Sequence, residues 1–314
     1  MGIAPLPLDR YGQRFSIRLH EPTGGYRDVV GHLKSPNSVI NRHGVEVTFD
    51  PSQIAVWREI VQRPTAAGKG APLTLRVFEL DQICNATWPA LETKEVDGWL
   101  LRAANGVTNR ANSVLPLAAS LSEKQGSSFQ EKLNAATEFY SARNLPTIFH
   151  LALPTWKELF ENLTSAGGEV IIRANTMVAD IMESKHEIPA GFELIKSSKV
   201  SQEWLDVHET VGVERIVAGC PSTFLTLRYG SNAVATVRLA INNGWSSITR
   251  VYVSSDFRGQ GLGKLIVAAA LQESLKQGVT KSVLQVEAQN SVAISMYESL
   301  GFNFHHEYVY LEMK

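Results

Sequence analysis

The sequence predicts a mixed α/β protein, an α+β arrangement around a mixed sheet, with a small all-β part in front. Three observations carry this. Short runs rich in β-branched and aromatic residues, separated by Gly, Pro and Asn turns, crowd into residues 13–62. Strand-like and helix-like runs then alternate to the C-terminus. Within them, "RVYVSSDFRGQGLGKLIVAAALQ", residues 250–272, joins a strand to an alanine-rich helix through a glycine loop.

Taken in order, "RFSIRLHE", "YRDVVGHLKS", "SVINRHG" and "VEVTFD" read as strands, with "SQIAVWREI" closing the set as a strand or short helix. Their shortness points to a small β-barrel over residues 1–66. "RPTAAGKGAPL", residues 63–73, lacks periodicity and is read as a linker. Residues 74–187 form a second, α/β segment. It contains "GWLLRAANGVTNRANSVLPL" as strands about an Asn-Gly turn and "SFQEKLNAATEFYSARN" as a helix with a Ser cap and Leu133, Ala136, Phe139 and Tyr140 on one face. Strand "TIFHLAL", helix "TWKELFENLTSAGG" and strand "EVIIRANTMVADI" follow, and "ESKHEIPAG" sets a boundary near residue 188. The third segment, 190–314, reads as strand "FELIKSS", helix "SQEWLDVHETVG" and strands "TFLTLRYG", "AVATVRLAINN" and "WSSITRVYV". After the loop come helix "GLGKLIVAAALQESLKQG", strand "KSVLQVEAQ", helix "NSVAISMYESLGF" and strand "HEYVYLEM".

Thirty basic residues against thirty-one acidic ones give the 314-residue chain a formal charge of -1, so no global field draws it to nucleic acid or to an anionic membrane. Cys84 and Cys220 lie far apart without a metal-ligand spacing, so neither a disulfide framework nor a metal site is expected. The N-terminus lacks the basic start and apolar run of a signal peptide, and no stretch approaches a membrane span. A cytoplasmic protein is expected.

Three phosphate-cradling patterns compete for "FRGQGLGK". A Walker loop ending at Gly263-Lys264 needs glycine at 258 and a hydroxyl at 265, where the chain has Arg258 and Leu265. A dinucleotide fingerprint from Gly259 needs glycine at 264, which is Lys264. The third, Arg-x-x-Gly-x-Gly, is met by Arg258, Gly261 and Gly263 directly after a strand and at the opening of a helix. Amides of a glycine loop at a helix N-terminus can wrap a pyrophosphate, and the helix dipole favours its charge.

With that pattern the chain resembles the GNAT superfamily of acyl-CoA-dependent N-acetyltransferases. "LQVEAQNSVAISMYESLGF" adds a second likeness, with Asn290 opening a helix and Tyr297 before "ESLGF". The resemblance implies acetyl-CoA as acyl donor, without a metal, bound by Arg258, Gly259, Gln260, Gly261, Leu262, Gly263, Lys264, Asn290 and Tyr297. It also implies a fourth strand splayed from the fifth, which exposes the backbone of Val251, Tyr252 and Val253 to the pantetheine arm and thioester. Tyr297 is implied as general acid for the departing thiolate. Ala293, Ile294, Tyr297 and Leu300 share a helical face, so a packing role stays open beside it. Many members carry a carboxylate five residues before the Asn; here that position is Gln285, which cannot accept a proton. Glu287, two residues on and on the same strand face, is the substitute base, a plain solvated strand glutamate being its other reading and a water relay or an already neutral amine the other routes.

The order of parts is similar to that of actinobacterial GNAT proteins with an N-terminal Src-homology-like barrel, and the middle segment resembles a degenerate, non-catalytic GNAT half walling an acceptor pocket. "RAANGVTNRANSVLPL" places Arg102, Asn105, Arg110 and Asn112 among apolar strands. A guanidinium there can hold a carboxylate bidentately, so the expected acceptor is a small carboxylate-bearing primary amine such as an amino acid. Turn chemistry is the other use of these residues. A protein or peptide acetyltransferase recruiting its target through the barrel, and an acyl-CoA-binding regulator without turnover, stay open as alternatives.

Overall fold

The computed structural model describes residues 6–7, 14–41, 45–59, 73–118, 127–184, 187–208 and 211–314. They fall into two compact units, Met1–Ala66 and Ala67–Lys314. The expected linker lies outside the described residues up to residue 72.

The first unit holds β1 (Arg14–His20), β2 (Tyr26–Ser35), β3 (Ser38–Ile40), β4 (Glu46–Thr48) and β5 (Ile54–Glu59), paired antiparallel in the order β4-β3-β2-β1-β5. Period-two burial makes the core: Phe15, Ile17 and Leu19 point inward from β1 against Val29, Leu33 and Val39. A Cβ on Gly31 would lie 2.4 Å from the Ile40 carbonyl oxygen, so β2 and β3 can approach only over a glycine. Strands β1–β4 run as a meander and β5 returns to pair with β1, with no β4–β5 pairing among the described residues.

The second unit begins with α1 (Leu73–Thr87), β6 (Glu92–Val96), β7 (Trp99–Ala103), β8 (Leu115–Pro116), α2 (Phe129–Ser141), β9 (Ile148–Leu153), α3 (Lys157–Ser165) and β10 (Gly168–Asp180). It continues with β11 (Phe192–Ser197), α4 (Gln202–Asp206), α5 (Glu214–Val217), β12 (Ser222–Tyr229), β13 (Asn232–Asn242) and β14 (Trp245–Val253). The last elements are α6 (Leu262–Lys276), β15 (Lys281–Glu287), α7 (Ser291–Glu298) and β16 (Asn303–Met313). Strands β6–β8 make a small sheet. The main sheet runs β11-β12-β13-β14-β15-β10-β16-β9, antiparallel except at β14–β15. Strand β10 is inserted between β15 and β16, so residues on both sides of position 188 share one sheet and pack together in the clusters around Tyr308 and Ile266. Of the helix expected across residues 201–212, the described residues hold only the five-residue α4, which buries Trp204.

The expected Ser cap forms, and as a full capping box: Ser128 accepts from the Glu131 amide, and Glu131 accepts from the Ser128 amide. Helix α1 is unforeseen. Its Val77, Leu80, Asp81, Ile83, Cys84 and Thr87 are all buried, so no polar face marks its period. It is tied to the sheet by Trp245 Nε1 donating to Glu79 Oε1 at 3.1 Å and Arg238 donating to the Thr87 carbonyl at 2.8 Å. No helix among the described residues is long and apolar enough to cross a membrane.

Burial pushes the Asp81 carboxyl from its ordinary 3.8 up to about 7, against the opposing pull of Arg102, and Asp81 Oδ2 has no hydrogen-bond partner. An acid whose pKa rises on folding favours the folded state while protonated. Its contribution is lost as pH climbs from 3.8, where the unfolded chain ionises, through about 7. Asp81→Asn is therefore expected to change stability little at pH 4 and to add about 4 kcal/mol near pH 8, read as a urea midpoint that separates from wild type with rising pH. A shift independent of pH would remove the carboxyl as its cause.

Candidate active site

Strands β14 and β15 pair only at Ser246↔Ser282, Ser247↔Val283 and Ile248↔Leu284. Beyond Ile248, β14 stays with β13 through Thr236↔Tyr252 and Ala235↔Val253, while β15 stays with β10 through Thr176↔Gln285 and Ala174↔Glu287. The two edges part, leaving the backbone between them outside the ladder. A bulge accompanies the parting: the β13–β14 register shifts between Thr236 and Arg238, and Arg250 opposite takes φ +54°. Such a left-handed residue costs about 1–2 kcal/mol when it is not glycine, and bulges re-aim side chains beside functional sites.

A cleft of about 760 Å³ occupies the gap. One wall is the glycine loop. A 3-10 turn, Ser255–Phe257, leads into Arg258, whose Nε donates to the Val253 carbonyl at 3.0 Å and whose guanidinium lies 5.5 Å from the Tyr252 ring. Gly259 and Gly261 take φ +75° and +78°, and α6 opens at Leu262. A Cβ on either glycine would meet nothing within 4 Å, so the space before the loop and the first-turn amides is open. That opening is of the kind a pyrophosphate fills. Gly263 serves packing instead: its Cβ would lie 3.1 Å from Met296 Sδ of α7. Val251, Tyr252, Val253, Arg258, Gly259, Gly261, Leu262, Gly263, Lys264, Asn290 and Tyr297 all line the cleft; Gln260 does not. The Gln260 amide instead reaches the Asp256 carbonyl at 3.4 Å. The Asn290 side chain caps α7, accepting from the Ala293 amide at 3.1 Å.

Tyr297 is buried at the cleft wall, edge-on to Phe302 with centroids 5.9 Å apart. Burial pushes its phenol up to about 12, which keeps the hydroxyl protonated at neutral pH. Glu287 is exposed at the cleft mouth, on the same face of β15 as Gln285. Both polar atoms of the Gln285 carboxamide are buried without a partner.

A second cavity, of about 280 Å³, shares Ile248, Thr249, Arg250, Gln285 and Glu287 with the cleft. Its other walls come from the middle of the chain and the last strand: Trp88, Thr108, Asn109, Arg110, Ile172, Ala174, Tyr308 and Tyr310. The Arg110 guanidinium stands 5.5 Å from the Trp88 ring, with the Tyr308 and Tyr310 phenols facing it. The other residues singled out with Arg110 lie elsewhere. Arg102 is buried and held within the protein, donating to the Ser113 carbonyl at 3.0 Å, Ser113 Oγ at 2.8 Å and Asn85 Oδ1 at 3.1 Å. Asn112 accepts from the Ala104 and Gly106 amides and donates to the Thr108 carbonyl, closing the turn in which Asn105 takes φ +53°. These three build the turn that presents Arg110. Arg250 gave no signal in the sequence, because a bulge cannot be read from an arginine inside a strand.

A parallel strand pair that splays over a glycine-loop cleft, within this sheet, defines a GNAT N-acetyltransferase. The family described as "Probable histone acetyltransferase Rv0428c C-terminal" matches residues 74–311, and the chain belongs to it. Similar proteins include Uncharacterized N-acetyltransferase YobR of Bacillus subtilis, 26% identical over 241 residues, covering 72% of this chain and 94% of that one. Probable histone acetyltransferase Rv0428c of Mycobacterium tuberculosis is 25% identical, covering 96% of this chain and 94% of that one. Among solved structures, the GCN5-related N-acetyltransferase from Kribbella flavida shares the fold with a TM-score of 0.57 and 18% identity, covering 78% of this chain and 96% of that one.

Proposed function

We propose that the protein moves an acetyl group from acetyl-CoA to the amine of a small carboxylate-bearing acceptor such as an amino acid. The observation that carries this reading is the shared wall: the smaller cavity, lined by Arg110, has Ile248, Thr249, Arg250, Gln285 and Glu287 in common with the cleft where β14 and β15 part. Acetyl-CoA would supply the activated acyl thioester. The loop amides, Arg258 and Lys264 would hold its pyrophosphate, and the backbone edge of Val251–Val253 turned away from β13 its pantetheine arm and thioester oxygen. The acceptor amine attacks from the smaller cavity, Tyr297 gives its proton to the leaving thiolate, and Glu287, directly or through water, takes the proton lost by the amine. Residues 190–314 would then carry the chemistry and residues 74–187 much of the acceptor wall.

Arg110 is the acceptor's carboxylate anchor on this reading. Arg110→Ala is expected to raise the acceptor KM about ten- to a hundredfold, the worth of a hydrogen bond to a charged group, while acetyl-CoA binding holds. Steady-state release of CoA thiol over an amino-acid panel measures it, and an unaltered KM would remove the anchor.

A further inference from the structure

Resting on the acceptor site just described, we propose that the acceptor carries a second anionic group and that Arg250 is the residue that reads it. The smaller cavity is lined by two guanidiniums, Arg110 and Arg250, and one carboxylate, Glu287, which is exposed at the mouth. Neither arginine has an ion pair among the described residues, and the Nε of each is buried without a hydrogen-bond partner. Burial and the neighbouring Arg110 charge both press the Arg250 guanidinium toward its neutral form. A buried donor left without a partner is costly, and two of them lining one cavity suit a ligand that pairs them. The nearby Arg238 also leaves its Nε unpartnered, but its two terminal nitrogens are committed to the Thr87 carbonyl at 2.8 Å, Thr249 Oγ1 at 3.3 Å and Cys220 Sγ at 3.0 Å, and it does not line the cavity.

The backbone supplies an independent observation. Arg250 sits at φ +54°, where glycine or asparagine would be easier, so the bulge holds a guanidinium at the junction of the two cavities at a conformational cost. A single carboxylate on Arg110 would leave that second guanidinium unpaired; an amino dicarboxylate pairs both. At about 280 Å³ the cavity lies below the usual 300–1,000 Å³ ligand range, which suits a molecule of amino-acid size.

The test is CoA release by the full chain with isosteric pairs, glutamate against glutamine and aspartate against asparagine. The acidic member is expected to have at least a tenfold higher kcat/KM. Arg250→Gly keeps the bulge, because glycine adopts this φ freely, and is expected to cut that preference at least tenfold with a melting temperature no lower than wild type. Should Arg250→Gly unfold, Arg250→Gln carries the same readout. Equal use of acidic and neutral partners, or a preference untouched by loss of Arg250, overturns the proposal while leaving acetyl transfer standing. Absence of CoA release with every amino acid, from a folded chain that binds acetyl-CoA, overturns the acceptor assignment and this inference with it.

Discussion

Tyr297→Phe is expected to lower kcat by about 10²–10⁴-fold, the usual worth of a positioned general acid, with the acetyl-CoA KM little changed. The ring that packs on Phe302 survives the substitution, and the hydroxyl alone is lost. Burial holds the phenol near 12, so the acid is protonated throughout the neutral range and would lose its proton only as pH rises through that value. Wild-type kcat should therefore show no alkaline fall from Tyr297 below about pH 11, and the Phe variant should lie beneath it by a constant factor between pH 6 and 9. Stopped assays of CoA thiol across that range decide the matter. A variant with wild-type turnover would reduce Tyr297 to a packing residue.

Gly261→Val is expected to weaken acetyl-CoA binding by at least tenfold. Two costs coincide at this position. A β-branched residue is badly strained at φ +78°, by roughly 1–2 kcal/mol or more, and its side chain would stand in the open space before the α6 amides. The Cβ meets nothing in the protein, so the loss falls on the ligand more than on the fold. Gly278→Val isolates the strain, because Gly278 has φ +77° with open space around it but follows the far end of α6. Calorimetric titration with acetyl-CoA should separate the two, Gly261→Val losing affinity and Gly278→Val keeping it. Equal losses would make the effect one of stability.

Much of the secondary structure was legible where one local rule acts alone. Strands β2 and β14 coincide with their expected spans, since alternation and flanking turns mark them. Helix α2 was announced by its cap and by an apolar face that the structure buries at Leu133, Ala136, Phe139 and Tyr140. Helix α1 was not, because a helix buried on most sides loses the contrast that periodicity reads. Arg102 and Asn112 drew notice as polar residues among apolar ones, and both turn out to satisfy backbone groups of a tight turn. Their types cannot distinguish a ligand from a carbonyl as partner.

The glycine loop was readable from the sequence alone: Arg258, Gly261 and Gly263 are neighbours along the chain, and a loop at a helix start needs only local conformation to present its amides. The other cavity exists only through long-range packing. That packing set β10 between β15 and β16, brought Arg110 within reach of a strand some 140 residues later, and put Arg250 into a left-handed bulge that no propensity favours. Strand insertion and register depend on pairings across the whole chain, which adjacent residues do not encode.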